Sequence, residues 1–145
     1  MLIVGGACVL LVVLTTLVHY EILRGLSKGL PLVAVPTRAR LVVVILTTFV
    51  AHAIEILLYA TAYYLLVRYS TLGTLGEAGR FGFDAALYFS AETYTSLGYG
   101  DVIPSADLRL LAGVEALNGL LLIGWSASYT YIAMERFWKE DRDVA

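Results

Sequence analysis

The chain has 145 residues, of which 59% are hydrophobic and only 15% are charged. A soluble domain of this length carries more charge and interrupts its apolar runs more often. Basic and acidic residues nearly cancel, and the sequence has no basic stripe suited to nucleic acid. Cys8 is the single cysteine, so neither an intrachain disulfide nor a cysteine-based metal site can form. The composition therefore indicates a membrane protein.

Three apolar segments are each long enough to cross a bilayer, which requires about 20 mostly apolar residues. They span residues 1–20, 41–67 and 107–138. We therefore expect a single membrane domain, 1–145, that is an all-α membrane protein with three transmembrane helices. The remaining residues divide into a cytoplasmic linker at 21–40, an outer segment at 68–106 and a cytoplasmic tail at 139–145.

The basic residues predict how the chain is oriented in the membrane. The linker and the C-terminal end together hold most of the Lys and Arg residues, namely Arg24, Lys28, Arg38, Arg40, Arg136, Lys139 and Arg142. The other side would hold only Arg68, Arg80 and Arg109. The positive-inside rule therefore predicts a multi-pass protein of the cell membrane with its N-terminus outside and its C-terminus in the cytoplasm.

The outer segment contains a short apolar stretch that is predicted to enter the membrane without crossing it. Residues 84–95 are apolar and aromatic, but they are too few to cross the bilayer, and they suit a re-entrant helix. Gly98 and Gly100 follow in an extended run at 96–100. Backbone without helical hydrogen bonds is tolerated at this depth only where it is buried in protein or lines an aqueous cavity. This run is therefore predicted to line a wet pathway.

Residues 88–101 read YFSAETYTSLGYGD. This stretch resembles the pore loop of the potassium channel superfamily, whose signature is TVGYG followed by Asp. The order of outer helix, re-entrant pore helix, filter and inner helix also resembles the two-helix pore domain of that family. The resemblance covers residues 41–138, and the first helix lies outside it.

The resemblance implies a selectivity filter in which backbone carbonyls replace the water around K⁺. Its residues are Ser96, Leu97, Gly98, Tyr99 and Gly100, and K⁺ would be bound at the first four of them. One loop supplies one wall, so a pore requires four copies with cyclic symmetry. We expect a homotetramer that conducts K⁺ passively, with the lipid bilayer and potassium ions as partners. No cofactor, no nucleic acid and no enzymatic activity are expected.

Two residues depart from the family signature. Ser96 stands where Thr is usual, and Leu97 stands where Val or Ile is usual. Serine keeps the hydroxyl oxygen but lacks the methyl group that restrains the threonine rotamer. A weakly selective monovalent cation channel is therefore an alternative. A non-conducting membrane regulatory subunit is another, and it would tolerate mutation of residues 96–100.

Three residues next to the filter are predicted to support it. The resemblance implies that Glu92 and Asp101 pair behind the filter and share a proton, because two adjacent carboxylates cannot both ionise cheaply. The alternative is a solvated Glu92 near the outer vestibule. The pore helix runs inward, so its negative C-terminal end near Thr95 should favour a cation in the cavity.

A group of polar residues inside the second and third spans is predicted to act in gating. His52 and Glu55 are spaced i,i+3, as are Glu115 and Asn118, and the two pairs lie at matching depths of roughly 10–15 Å. We expect His52, Glu55 and Glu115 to meet near Gly119, so that protonation of His52 biases the gate. The alternative is separate partners, with His52 bonded to a backbone carbonyl and Glu115 bonded to the back of the pore helix. Gly119 would be either a hinge or a close-packing residue.

Overall fold

The computed structural model describes residues 1–32, 36–76 and 81–144. Four α helices run through these ranges: α1 (Leu2–Gly29), α2 (Thr37–Tyr69), α3 (Phe83–Tyr94) and α4 (Leu108–Val144). A short 3-10 helix, Leu30–Leu32, follows α1. Within the described ranges the chain forms no strand beyond one isolated bridge. The predicted all-α class is confirmed.

Three of the helices are long and apolar enough to cross a membrane. The candidate spans are Leu2–Gly29, Arg38–Tyr69 and Leu108–Lys139. The remaining helix, α3, has 12 residues and is about 18 Å long, too short to cross. The three predicted spans and the short helix between the second and third are therefore all present.

The long helices extend beyond the bounds expected from hydropathy. The first ends at Gly29, so its last nine residues lie in the predicted linker at 21–40. The second begins at Thr37, directly after Pro36, whose ring fixes φ and which lacks a backbone donor. Proline is well suited to this boundary because the first helical amides need no partner within the helix. Arg80, which entered the charge count, lies outside the described residues.

A buried core joins all four helices. Tyr63 of α2 packs edge-on against Phe89 of α3, with ring centroids 5.0 Å apart. Leu111 of α4 is buried in the same core. The extra helix α1 contributes Val4 and Cys8. The first helix therefore packs directly on the other three.

Contacts at the two ends of α1 show which helix termini lie together. The amino group of Met1 contacts the carboxylate of Asp107, at the start of α4. At the opposite end, the hydroxyl groups of Ser27 and Tyr129 lie 2.9 Å apart. The start of α1 therefore lies on the same side as the segment that joins α2 to α4, and the end of α4 lies on the other side.

The segment between α2 and α4 is closed by contacts between its two ends. Leu75 forms a bridge with Pro104, and the Ser105 amide donates to the Thr74 carbonyl at 2.9 Å. A Cβ at Gly73 would lie 2.5 Å from the Ser105 carbonyl oxygen, so only glycine permits this approach. These contacts fix the position of the segment that follows residues 96–100.

Candidate functional site

The backbone of residues 96–100 alternates between positive and negative φ. Ser96 and Gly98 have φ of 58°, and Gly100 has φ of 79°. Leu97 and Tyr99, which stand between them, have negative φ. Glycine adopts positive φ without a Cβ penalty and occupies two of the three positions. This alternation turns successive peptide groups so that their amides point to one side of the chain.

Those amides all point at Glu92 of α3. The amides of Leu97 and Gly98 donate to the Glu92 backbone carbonyl at 2.8 and 3.3 Å. The Tyr99 amide donates to the Glu92 carboxylate at 3.1 Å. In a planar trans peptide, the carbonyl of the preceding residue points opposite to the N–H. The carbonyls of Ser96, Leu97 and Gly98 therefore form a row that points away from α3.

The row of carbonyls lies at the surface of the chain. Leu97 and Tyr99 are 58% and 70% exposed, whereas Glu92 on the other side is buried. Aligned carbonyl oxygens can replace the hydration shell of an alkali cation when enough of them surround it. A single chain supplies these oxygens on one side only.

The two acids predicted to share a proton have different partners. The Glu92 carboxylate accepts from the Tyr99 amide, and the Asp101 carboxylate accepts from the Tyr88 hydroxyl at 3.2 Å. Among the described residues no hydrogen bond joins Glu92 to Asp101. Glu92 is buried, which differs from the solvated alternative. Sharing of a proton between the two acids stays a prediction.

The C-terminal end of α3 lies against α4. Thr95 caps the helix, and its hydroxyl donates to the Ala91 carbonyl at 2.8 Å. A Cβ at Gly119 would lie 2.1 Å from the Tyr94 carbonyl oxygen. Gly119 is therefore the point of closest approach between α4 and the end of α3, as expected of a close-packing residue. A hinge role for Gly119 stays a prediction.

A polar cluster, here called the histidine cluster, lies near the middle of the spanning helices. It consists of His19, His52, Glu55, Tyr94 and Ser126. Glu55 accepts at one carboxylate oxygen from His19 Nδ1 at 2.8 Å, and its other oxygen lies 3.0 Å from His52 Nδ1. The Tyr94 hydroxyl also donates to Glu55. Ser126 Oγ lies 3.3 Å from His19 Nε2 and 2.9 Å from His52 Nε2.

Each of the four helices contributes to this cluster. The predicted pair of His52 and Glu55 on α2 is brought together, and Tyr94 is the last residue of α3. Ser126 comes from α4, and His19 comes from α1. His19 and Glu55 are fully buried. Ligand atoms of His19, His52 and Glu55 lie within 4.8 Å of one another, so these three side chains could hold a metal ion.

Glu115 belongs to a separate contact. Its carboxylate accepts from the Tyr63 hydroxyl at 2.7 Å and from the hydroxyl of Ser90, which lies on α3. In the described part of the chain no hydrogen bond connects Glu115 with His52 or Glu55. Glu115 therefore has the partner that the alternative gave it, at the back of the short helix. His52 does not, because its contacts are with side chains and not with a backbone carbonyl.

Asn118 connects α4 with the first helix. Its amide donates to Thr15 Oγ1 at 2.8 Å and to the Tyr59 hydroxyl at 3.1 Å. The contribution of α1 to both polar groups was not expected from the sequence. The sequence offered one signal, because the polar residues Thr15 and His19 are four positions apart and therefore share a face of α1. The structure buries that face, whose residues recur every three or four positions. Those residues are Val4, Cys8, Leu11, Thr15, His19, Leu23 and Leu26.

A comparison with protein families places most of the chain in a known group. The model of a family described as ion channel matches residues 41–136, which include most of α2, all of α3 and most of α4 but exclude α1. A comparison with curated proteins gives no match.

Proposed function

We propose that this chain, which belongs to the ion channel family, is one subunit of a homotetrameric potassium channel. Family membership and three helices able to span a membrane make it a multi-pass ion channel subunit. Selectivity for K⁺, the number of subunits and the orientation in the membrane are the proposal. The observation that carries it is the row of carbonyls at Ser96, Leu97 and Gly98.

Potassium selectivity is supported by the geometry of that row. A dehydrated K⁺ ion requires oxygen ligands in place of water, and backbone carbonyls provide them without a charge that would trap the ion. The amides of residues 97–99 all bind Glu92, so the opposite carbonyls are held in one direction. The Tyr99 carbonyl and the Ser96 hydroxyl would extend the row, as the resemblance to potassium channels implies.

A tetramer is supported by the exposure of the carbonyl row in a single chain. Backbone carbonyls at membrane depth must face water, ions or protein. Leu97 and Tyr99, beside the carbonyls, are mostly exposed in the single chain. A ring of four chains encloses the carbonyls around one axis and leaves no open end. The side chains of Leu97 and Tyr99 would then pack against protein.

The proposed orientation is supported by the contacts at the helix ends together with the positive-inside rule. The start of α1 and the segment between α2 and α4 lie on the same side. The opposite side holds Lys28 and Arg142, at the ends of α1 and α4. An outside N-terminus and a cytoplasmic C-terminus therefore agree with the distribution of positive charge.

Cation flux into liposomes tests the proposal. The purified full-length chain is reconstituted, and uptake driven by a K⁺ gradient is measured with and without Ba²⁺, then repeated with Na⁺. The proposal expects Ba²⁺-sensitive K⁺ flux and little Na⁺ flux. Comparable Na⁺ flux would establish the weakly selective channel instead, and absence of flux for both ions would favour the regulatory subunit.

A further inference from the structure

The histidine cluster includes no residue of the carbonyl row, and the proposed conduction does not use it. We propose that His19, His52 and Glu55 form a binding site for a transition-metal dication of the Zn²⁺ class, which fastens α1 to the channel. The inference goes beyond the proposed function, because no metal other than the permeant ion takes part in that function.

The ligand atoms are already close to metal-binding positions. Glu55 holds both Nδ1 atoms at 2.8 and 3.0 Å, one on each carboxylate oxygen. Ligands bound tetrahedrally at about 2.0–2.1 Å from Zn²⁺ are separated by about 3.3 Å. The ligand atoms of His19, His52 and Glu55 all lie within 4.8 Å of one another, so a metal ion between them requires a local adjustment of these three side chains.

The hydrogen bonds of the cluster are incomplete without an additional positive centre. Four contacts join the two imidazoles to Glu55 and Ser126. Each neutral histidine has one N–H and a serine has one O–H, so three hydrogens serve four contacts. If Glu55 is ionised, one contact must bring two lone pairs together. An unsatisfied polar contact is costly in a buried site.

A bound metal ion resolves this shortage. Both Nδ1 lone pairs and the Glu55 carboxylate then face the ion, and both Nε2–H groups donate to Ser126 Oγ, which has two lone pairs. Metal-bound histidines generally donate their other N–H to an oxygen that fixes the orientation of the ring. Ser126 is in position to do this for His19 and His52 at once.

The ligand types select the class of metal. Two imidazole nitrogens and one carboxylate suit Zn²⁺, Co²⁺, Ni²⁺ or Cu²⁺, whereas Ca²⁺ and Mg²⁺ prefer oxygen ligands throughout. The Tyr94 hydroxyl contacts both His52 and Glu55, so it is near enough to these ligands to supply a fourth ligand atom. Tyr94 ends α3, so the negative end of the helix dipole also favours a cation here.

Of the three ligands, only His52 reaches the surface of the single chain. The side chains of His19 and Glu55 are fully buried, whereas that of His52 is 18% exposed. A metal ion that approaches from that surface would therefore meet His52 before the other two ligands. Once bound, it connects α1 to α2 at the level where α3 ends.

Metal binding to the full-length protein in detergent micelles tests the site. Only two histidines occur in the chain and both belong to the site, so nitrogen ligation reports on it directly. We expect one Zn²⁺ per chain by calorimetry and a tetrahedral absorption spectrum with Co²⁺. His19→Gln and Glu55→Gln should each weaken Zn²⁺ affinity at least tenfold. Glu135→Gln, at an exposed acid of α4, is the matched control and should leave it unchanged.

A second measurement separates loss of ligation from loss of folding. Zn²⁺ should raise the melting temperature of the wild type and of Gly98→Ala, whose filter is altered, but not that of His19→Gln. Retained binding by Gly98→Ala makes the result independent of conduction. No stoichiometric binding to the wild type, or equal affinity in the histidine variants, would overturn the site and leave an excess proton as the cation of the cluster.

Discussion

The carboxylate of Glu92 accepts a hydrogen bond from the amide of Tyr99 at 3.1 Å, and its backbone carbonyl accepts two more from the preceding amides. One residue of the short helix thus holds three successive peptide groups. Because the carbonyls point opposite to these amides, Glu92 fixes the direction of the proposed ion ligands.

Replacing Glu92 should therefore affect the stability of the conducting backbone. In Glu92→Ala the Tyr99 amide loses its acceptor, while Leu97 and Gly98 keep the backbone carbonyl. We expect altered open lifetimes with unchanged K⁺ over Na⁺ preference, measured by single-channel recording in planar bilayers. Glu135→Ala is the control, because that acid lies exposed on α4. Unaltered lifetimes in Glu92→Ala would contradict the supporting role.

Gly98→Ala should abolish conduction without preventing assembly. Gly98 has φ of 58°, a conformation that costs an alanine about 1–2 kcal/mol. A Cβ there meets no atom of its own chain within 4 Å, so the chain itself should fold. The flux assay and size-exclusion chromatography measure the two properties. Gly124→Ala, which also meets no neighbour but lies within α4, should conduct normally. Normal K⁺ flux through Gly98→Ala would refute the filter.

Gly119→Ala should destabilise the protein. Its Cβ would lie 2.1 Å from the Tyr94 carbonyl oxygen, and backbone cannot rotate away as a flexible side chain can. We expect a lower melting temperature in thermal scans of the solubilised protein, since α4 must move off α3. Gly113→Ala has open space around its Cβ and should melt at or above the wild-type temperature. Equal melting temperatures for the two variants would contradict the close approach.

The sequence predicts the helices well because apolar length is a local property. The three spans and the short helix follow from residue type. The partners of Glu115 do not, because they depend on how each helix is rotated about its axis. Equal depth along two helices suggested a contact with Glu55, whereas rotation places Glu115 against Ser90. The effect of His52 on gating stays a prediction.

The first helix shows more clearly that the sequence does not reveal which residues of a helix pack against its neighbours. Family resemblance begins at residue 41, so it carries no information about α1. Hydropathy identifies the helix as a span but does not show what it packs against. The polar residues Thr15 and His19 lie on the buried stripe of α1, and both find partners on other helices. A buried polar group in a membrane helix is therefore a better guide to the packed face than the apolar residues around it.

The contact between Thr15 and Asn118 should contribute measurably to the docking of α1. Thr15 is fully buried, and the Asn118 amide donates to it at 2.8 Å. Hydrogen bonds between membrane helices average about 0.6 kcal/mol and reach about 1.7 kcal/mol. A double-mutant cycle with Thr15→Val and Asn118→Ala should give a coupling energy in that range, from unfolding in mixed micelles. Asn118→Ala alone should cost more, because Tyr59 also loses a partner.

Thr16→Val provides the matched control for this cycle. Thr16 is the same residue type one position along α1, but it lies off the buried stripe that includes Thr15. Its coupling energy with Asn118→Ala should be zero within error, because the effects of two substitutions on the free energy of unfolding are additive when the sites share no partners. Coupling of equal size at Thr15 and Thr16 would show that the two substitutions act by loosening α1 as a whole. Zero coupling at both positions would show that the polar contact does not hold α1 in place.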